Sequence, residues 1–253
     1  MRLLILGGTS EARRLADEMA RRPEVETIFS FAGRTERPAP QAVATRIGGF
    51  GGIDGLVDYL RAERIDRVID ATHPFAAQMS RHAVEACARA GIPLLTFSRA
   101  PWRPQAGDRW TEVESNGAAA EALGAAPRRV FLTIGRLGLM DFAGAPQHVY
   151  LIRTIDPPGD LSFLPQHELI LARGPFTVDD EIETMRRAQT DVVVSKNSGG
   201  GSTEAKLDAA RALGLPVIMV RRPATSGARI THDLAEALAF ACGHDRSPAE
   251  RGV

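Results

Sequence analysis

Leu3-Leu4-Ile5-Leu6-Gly7-Gly8-Thr9-Ser10-Glu11-Ala12 runs from an apolar segment through a glycine pair and two hydroxyls into an amphipathic stretch. That order predicts a buried strand over 2–6, a tight turn and a helix over 11–21, the opening unit of a parallel α/β sheet. The same alternation continues outward from it. Short apolar runs at 25–31, 43–47, 67–70 and 93–97 predict further strands, with helical patterns at 53–63 and 75–90. Each crossover is long enough for a parallel connection. Residues 99–110, with Pro101, Pro104 and Gly107, break the rhythm and predict a linker. The pattern then resumes. Strands are expected at 129–134, 148–152, 168–171, 191–195 and 216–220, and helices at 118–123, 178–187, 203–213 and 232–241. The expected architecture is α/β: two Rossmann-like parallel-sheet domains, 1–98 and 111–243, with an interdomain cleft and a polar tail over 244–253.

Composition excludes several classes. The 253 residues are 44% hydrophobic and 25% charged, too apolar for a disordered chain. No apolar run reaches the length of a membrane helix, and the apolar start is too short for a secretory signal. Thirty-one basic residues balance thirty-one acidic ones, so no global field favours nucleic acid or an anionic membrane. Cys87 and Cys242 are too few for a disulfide framework and read as buried thiols, in keeping with a cytoplasmic protein. The two lysines, Lys196 and Lys206, flank a single glycine loop.

Glycine lets a backbone approach a ligand closely, and the first amides of a helix attract phosphate. Gly7, Gly8, Thr9, Ser10 and Glu11 are therefore candidates for holding a dinucleotide's pyrophosphate. The G-x-G-x-x-G pattern is incomplete, with Ala12 standing where the third small residue would fall. The plainer reading is a βα turn capped by Thr9 or Ser10. The second strand leads into Gly33-Arg34-Thr35, without the acid that would bond a ribose 2′-hydroxyl. Arg34, between Gly33 and Thr35, suits a 2′-phosphate and favours NADPH over NADH. Two more strand tips share this edge, one bearing Gly49 and the other Asp70-Ala71-Thr72-His73-Pro74. Ala71, Thr72, His73 and Pro74 are expected to line the cofactor. His73 is the candidate acid or base, with capping equally open, and Asp70 is expected to cap local amides.

A second loop, Ser195-Lys196-Asn197-Ser198-Gly199-Gly200-Gly201-Ser202-Thr203-Glu204-Ala205-Lys206, concentrates glycines, hydroxyls and ammonium groups after a buried strand. Its spacing is not that of a Walker A loop. It predicts an anion site for an acidic substrate, formed by Lys196, Asn197, Ser198, Gly199, Gly200, Ser202, Thr203 and Lys206, with Arg221 beyond the next strand. Arg136, Arg153 and Arg173 add positive charge at other strand ends. No Cys-x-x-Cys or His-x-x-x-His pair occurs, so no metal site is expected.

The strings Ile5-Leu6-Gly7-Gly8-Thr9, Asp70-Ala71-Thr72-His73-Pro74-Phe75-Ala76 and Ser195-Lys196-Asn197-Ser198-Gly199-Gly200 with Lys206 resemble, in order and over nearly the whole chain, the precorrin-6A reductase family of cobalamin biosynthesis. The resemblance implies NADPH-dependent reduction of one double bond in a contracted tetrapyrrole macrocycle rich in carboxylates, with or without cobalt. It also implies a small-molecule partner, and other enzymes of the pathway as neighbours. On the residues alone, a non-redox tetrapyrrole enzyme and a nucleotide-sensing binding protein stay open. A short-chain dehydrogenase does not, because neither Tyr59 nor Tyr150 has lysine four residues on.

Overall fold

A computed structural model of the chain describes residues 1–31, 41–224 and 227–244. The chain divides into two compact units, Met1–Arg99 joined by the segment from Pro223 onward, and Ala100–Arg222.

The first unit opens with β1 (Arg2–Leu6), α1 (Ser10–Met19), β2 (Glu26–Phe31) and β3 (Ala44–Ile47). It continues through α2 (Gly52–Ala62), β4 (Arg67–Asp70), α3 (Ala77–Ala90) and β5 (Leu94–Phe97). Leu3 and Ile5 of β1 point into one core with Ala12, Leu15 and Met19 of α1, while Leu4 and Leu6 point into another with Leu56, Leu60, Ala83 and Ala86. Burial on both faces explains why this central strand reads as a continuous apolar run and not as an alternation.

The second unit comprises β6 (Arg109–Val113), α4 (Asn116–Ala122), β7 (Arg129–Thr133), β8 (Val149–Thr154), β9 (His167–Leu171), α5 (Val178–Arg187), β10 (Val192–Lys196), α6 (Ala205–Ala212) and β11 (Pro216–Val220). A 3-10 segment, Arg136–Phe142, comes after β7. The core of this unit unites Phe131, Val193, Val217 and Met219 of the strands with Met185, Leu207 and Ala210 of α5 and α6.

The chain then returns to the first unit as β12 (Arg229–Thr231) and α7 (Leu234–Ala241). Among the described residues, the first sheet has the order β12-β5-β4-β1-β2-β3 and the second β6-β11-β10-β7-β8-β9, all parallel. Each sheet thus sets the two strands after its β1 or β7 on one side of that strand and the next two on the other. The first sheet takes its sixth strand, β12, only after the chain has run through the whole second unit. Residues 223–243, expected in the second domain, are therefore corrected to the first, where Phe240 and Ala241 complete the Leu3–Ile5 core. The expected linker 99–110 is likewise built in. Trp102 is buried in the second core, Asp108 pairs with Arg211 at 2.8 Å, and Arg109 begins β6. Beyond His244 the tail lies outside the described residues. No helix among the described residues is long and apolar enough to cross a membrane.

Candidate active site

Open parallel sheets bind ligands beyond the carboxyl ends of their strands, where the strand order reverses. In the first sheet that point lies between β1 and β4, and the loops after these two strands are joined there. Thr9 caps α1 by accepting the Ala12 amide at 3.1 Å, and its hydroxyl donates to the Ala71 carbonyl at 2.8 Å. Gly7 donates its amide to Ser30 of β2 at 2.9 Å. A Cβ at Gly7 would lie 2.0 Å from the Phe29 ring, so no side chain can stand there. Gly8 adopts φ +136° with open space above it. The amides of Ser10 and Glu11 open the helix, with no carbonyl of the helical ladder before them. This cradle fits the pyrophosphate of a dinucleotide. Glu11 would repel such an anion, but Ser10 donates to it at 3.1 Å and Arg99 stands 3.7 Å away. Arg99, whose pKa burial lowers, carries no local signal in the sequence because it comes after β5 at the head of a proline-rich stretch.

The β4 loop is organised by Asp70, as expected. Its buried carboxylate accepts the Thr72 amide at 3.1 Å and the Thr72 and Ser80 hydroxyls at 2.6 Å. His73 Nδ1 accepts the Phe75 amide at 3.2 Å, which leaves the proton of the neutral ring on Nε2. Gly49 belongs to the β3–α2 loop, and its carbonyl accepts from Arg46 at 3.0 Å. Arg46 also bonds Ser30 and stacks 3.9 Å from the Phe50 ring centroid. Gly33, Arg34 and Thr35 lie outside the described residues.

In the second sheet the corresponding point lies between β7 and β10, and Lys196 ends β10 there. Asn197 does not face solvent. Its side chain accepts the Trp102 amide at 2.9 Å and donates to the Trp102 carbonyl at 3.0 Å. Arg222 supports the loop from below, donating to the carbonyls of Asn197 at 2.8 Å and Ser198 at 2.9 Å. Gly199 has φ +68°, and a Cβ there would lie 2.1 Å from the Ala100 carbonyl oxygen. The Trp102 indole donates to Gly200 at 3.2 Å. Lys206 is buried. Its ammonium donates to Thr203 at 2.5 Å and lies 4.7 Å from the Trp102 ring centroid, so it holds the loop from behind. Ser202 and Thr203 form a 3-10 turn before α6.

Two arginines expected at a substrate rim are engaged elsewhere. Arg221 pairs with Glu112 at 3.0 Å and Glu114 at 2.5 Å, and the half-buried Arg153 pairs with buried Glu181 at 2.6 Å between Phe131 and Phe176. Among the described residues, no group of three or more His, Cys, Asp or Glu could hold a metal ion.

Burial pulls the Lys196 ammonium below the ordinary lysine value of 10.5, against the opposing pull of Asp141. Its charge therefore leaves at lower pH than that of an exposed lysine. The folded chain also holds this proton less tightly than the unfolded one, so the lysine's contribution to stability rises with pH up to 10.5. Denaturation midpoints across this range should follow that rise, and Lys196→Met should flatten it.

Comparisons with known proteins identify the family. A family model described as "Precorrin-6x reductase CbiJ/CobK" matches residues 2–241. A "Precorrin-6A reductase" of Rhodobacter capsulatus is 54% identical over 100% of this chain and 99% of its own. One of Mycobacterium tuberculosis is 46% identical over 88% and 89%. A "Cobalt-precorrin-6A reductase" of Priestia megaterium is 30% identical over 87% and 90%. A solved structure, "CobK precorrin-6A reductase", superposes with a TM-score of 0.90 at 53% identity, each chain fully covered. With its glycine cradle at one reversal point and its lysine-bearing loop at the other, the chain belongs to the precorrin-6x reductase CbiJ/CobK family.

Proposed function

We infer that the protein reduces one double bond of precorrin-6A in cobalamin biosynthesis, with NADPH as electron donor. The observation that carries this reading is the glycine cradle, tied by Thr9 to Ala71 at the reversal point of the first sheet, in a chain of this family. When bound, NADPH supplies a hydride, and a proton completes the addition across the ring double bond. Gly7, Gly8, Thr9, Ser10 and Glu11 hold the pyrophosphate. Ala71, Thr72, His73 and Pro74 line the adjoining edge with Gly49. Gly33, Arg34 and Thr35 select the 2′-phosphate. Lys196, with the Ser198–Thr203 loop that Asn197, Lys206 and Arg222 brace, meets the carboxylates of the macrocycle. Relatives at 46–54% identity carry the name "Precorrin-6A reductase" and relatives at 29–30% the name "Cobalt-precorrin-6A reductase", which supports a substrate without cobalt. Cys87 and Cys242 are free thiols, in keeping with work in a reducing cytoplasm.

Loss of the near-ultraviolet band of NADPH on addition of precorrin-6A tests the reaction. Arg34→Ala should raise the KM for NADPH about tenfold or more, the scale of a lost arginine–phosphate pair, and leave that for NADH unchanged. An unaltered preference for NADPH would remove Arg34 from this role.

A further inference from the structure

The two sheets share a strand order but differ in the segment that leaves β1 in one and β7 in the other. After β1 the chain enters the glycine cradle and α1, whereas after β7 it forms the 3-10 segment Arg136–Phe142. Residues three apart eclipse one another in such a helix. Leu139 and Phe142 accordingly point inward, 2% and 0% exposed, with Phe142 packed edge-on against Tyr150. Leu137 and Met140 point outward, 70% and 63% exposed. Asn116 fixes the segment by donating to Asp141 at 2.8 Å. These two apolar side chains are thus held in the open by a rigid base and stand at the ligand edge of the sheet. They share that edge with Lys196, which ends β10, the strand paired with β7. Ile155 and Leu171, 55% and 52% exposed, stand at the tips of the neighbouring β8 and β9.

Large apolar side chains fixed in water beside a cation suit a ligand that is flat and apolar in its middle and anionic at its rim. We propose that Leu137 and Met140 form the seat for the ring face of the tetrapyrrole, while Lys196 takes carboxylates at its margin. This inference rests on the substrate assigned above and adds the residues that recognise the ring itself.

The test is a spectrophotometric titration of the full chain with precorrin-6A in the absence of NADPH. The double variant Leu137→Ser/Met140→Ser should bind the macrocycle about tenfold or more weakly, the scale for re-exposing apolar side chains of this size. Its affinity for NADPH should stay within about twofold of wild type. Leu137→Met should bind the macrocycle like wild type, and so should Leu169→Ser, an exposed leucine in the body of β9. Wild-type macrocycle affinity in the double variant would overturn the proposal. So would a fall in assembly mass with macrocycle binding unchanged, since the surface would then join copies of the chain. Absence of macrocycle uptake by the wild type would instead strike at the assigned substrate, and the proposal would fall with it.

Discussion

Gly7→Ala should bind nucleotide far more weakly and lose a substantial part of the stability of the first unit. The added methyl would sit 2.0 Å from Cζ and 2.1 Å from Cε1 of Phe29. Phe29 is 1% exposed and packs against Phe31, with ring centroids 4.7 Å apart, so its ring has nowhere to retreat. The turn must yield instead, pulling the Gly7 amide from Ser30 and Thr9 from Ala71. Overpacking of this kind costs about 1–3 kcal/mol. Misplacement of the helix-start amides should weaken NADPH binding by two orders of magnitude or so, the scale of about 3 kcal/mol. Chemical denaturation and a fluorescence titration with NADPH measure the two effects. Adding Phe29→Leu should restore part of both. A Gly7→Ala protein that binds NADPH normally would show that the cradle is not the phosphate site.

Asn197→Ala should be nearly as damaging for a different reason. The Asn197 amide group replaces a strand neighbour for Trp102, meeting both its N–H and its C=O across 95 residues of sequence. Alanine would leave two buried backbone groups without partners, at about 1–3 kcal/mol each. A loss of roughly 2–6 kcal/mol is a large share of the roughly 5–15 kcal/mol typical of a folded domain. Trp102 would also loosen under Lys206, and the loop that carries Lys196 would lose its brace. Unfolding midpoints and macrocycle titrations should fall together. A midpoint close to that of wild type would show that the clamp is dispensable.

Much of the fold is legible in the sequence because central strands are buried on both faces. β1, β4, β10 and β11 read directly as apolar runs, and Gly7 and Thr9 stand out through turn chemistry that is local in sequence. Edge strands carry a weaker signal. β6 is largely exposed along Arg109–Val113 and resembles the end of a linker, while β12 has three residues and no period to detect. The weak signal of β6 also hides the partners of Arg221, because Glu112 lies on that strand and Glu114 just beyond it. Lys206 looks like a substrate ligand for a similar reason, since only the tertiary fold brings Trp102 to its ammonium, beside the local bond to Thr203 three residues before it. Local pattern marks which residues are chemically capable; the partners already claiming them are set by contacts far apart in the chain.

The late return of β12 has a consequence for synthesis on the ribosome. β5 ends at Phe97, but the strand that covers its outer edge begins at Arg229, and the helix that seals the same core ends at Ala241. At elongation rates of about 5–20 residues per second the N-terminal sheet must wait on the order of ten seconds with an unprotected edge. The sheet from β6 to β11 has all its strands within one uninterrupted stretch and can close while that wait continues. The region translated first is thus the last to be finished, and a nascent chain is most exposed to aggregation through β5 just before β12 and α7 emerge.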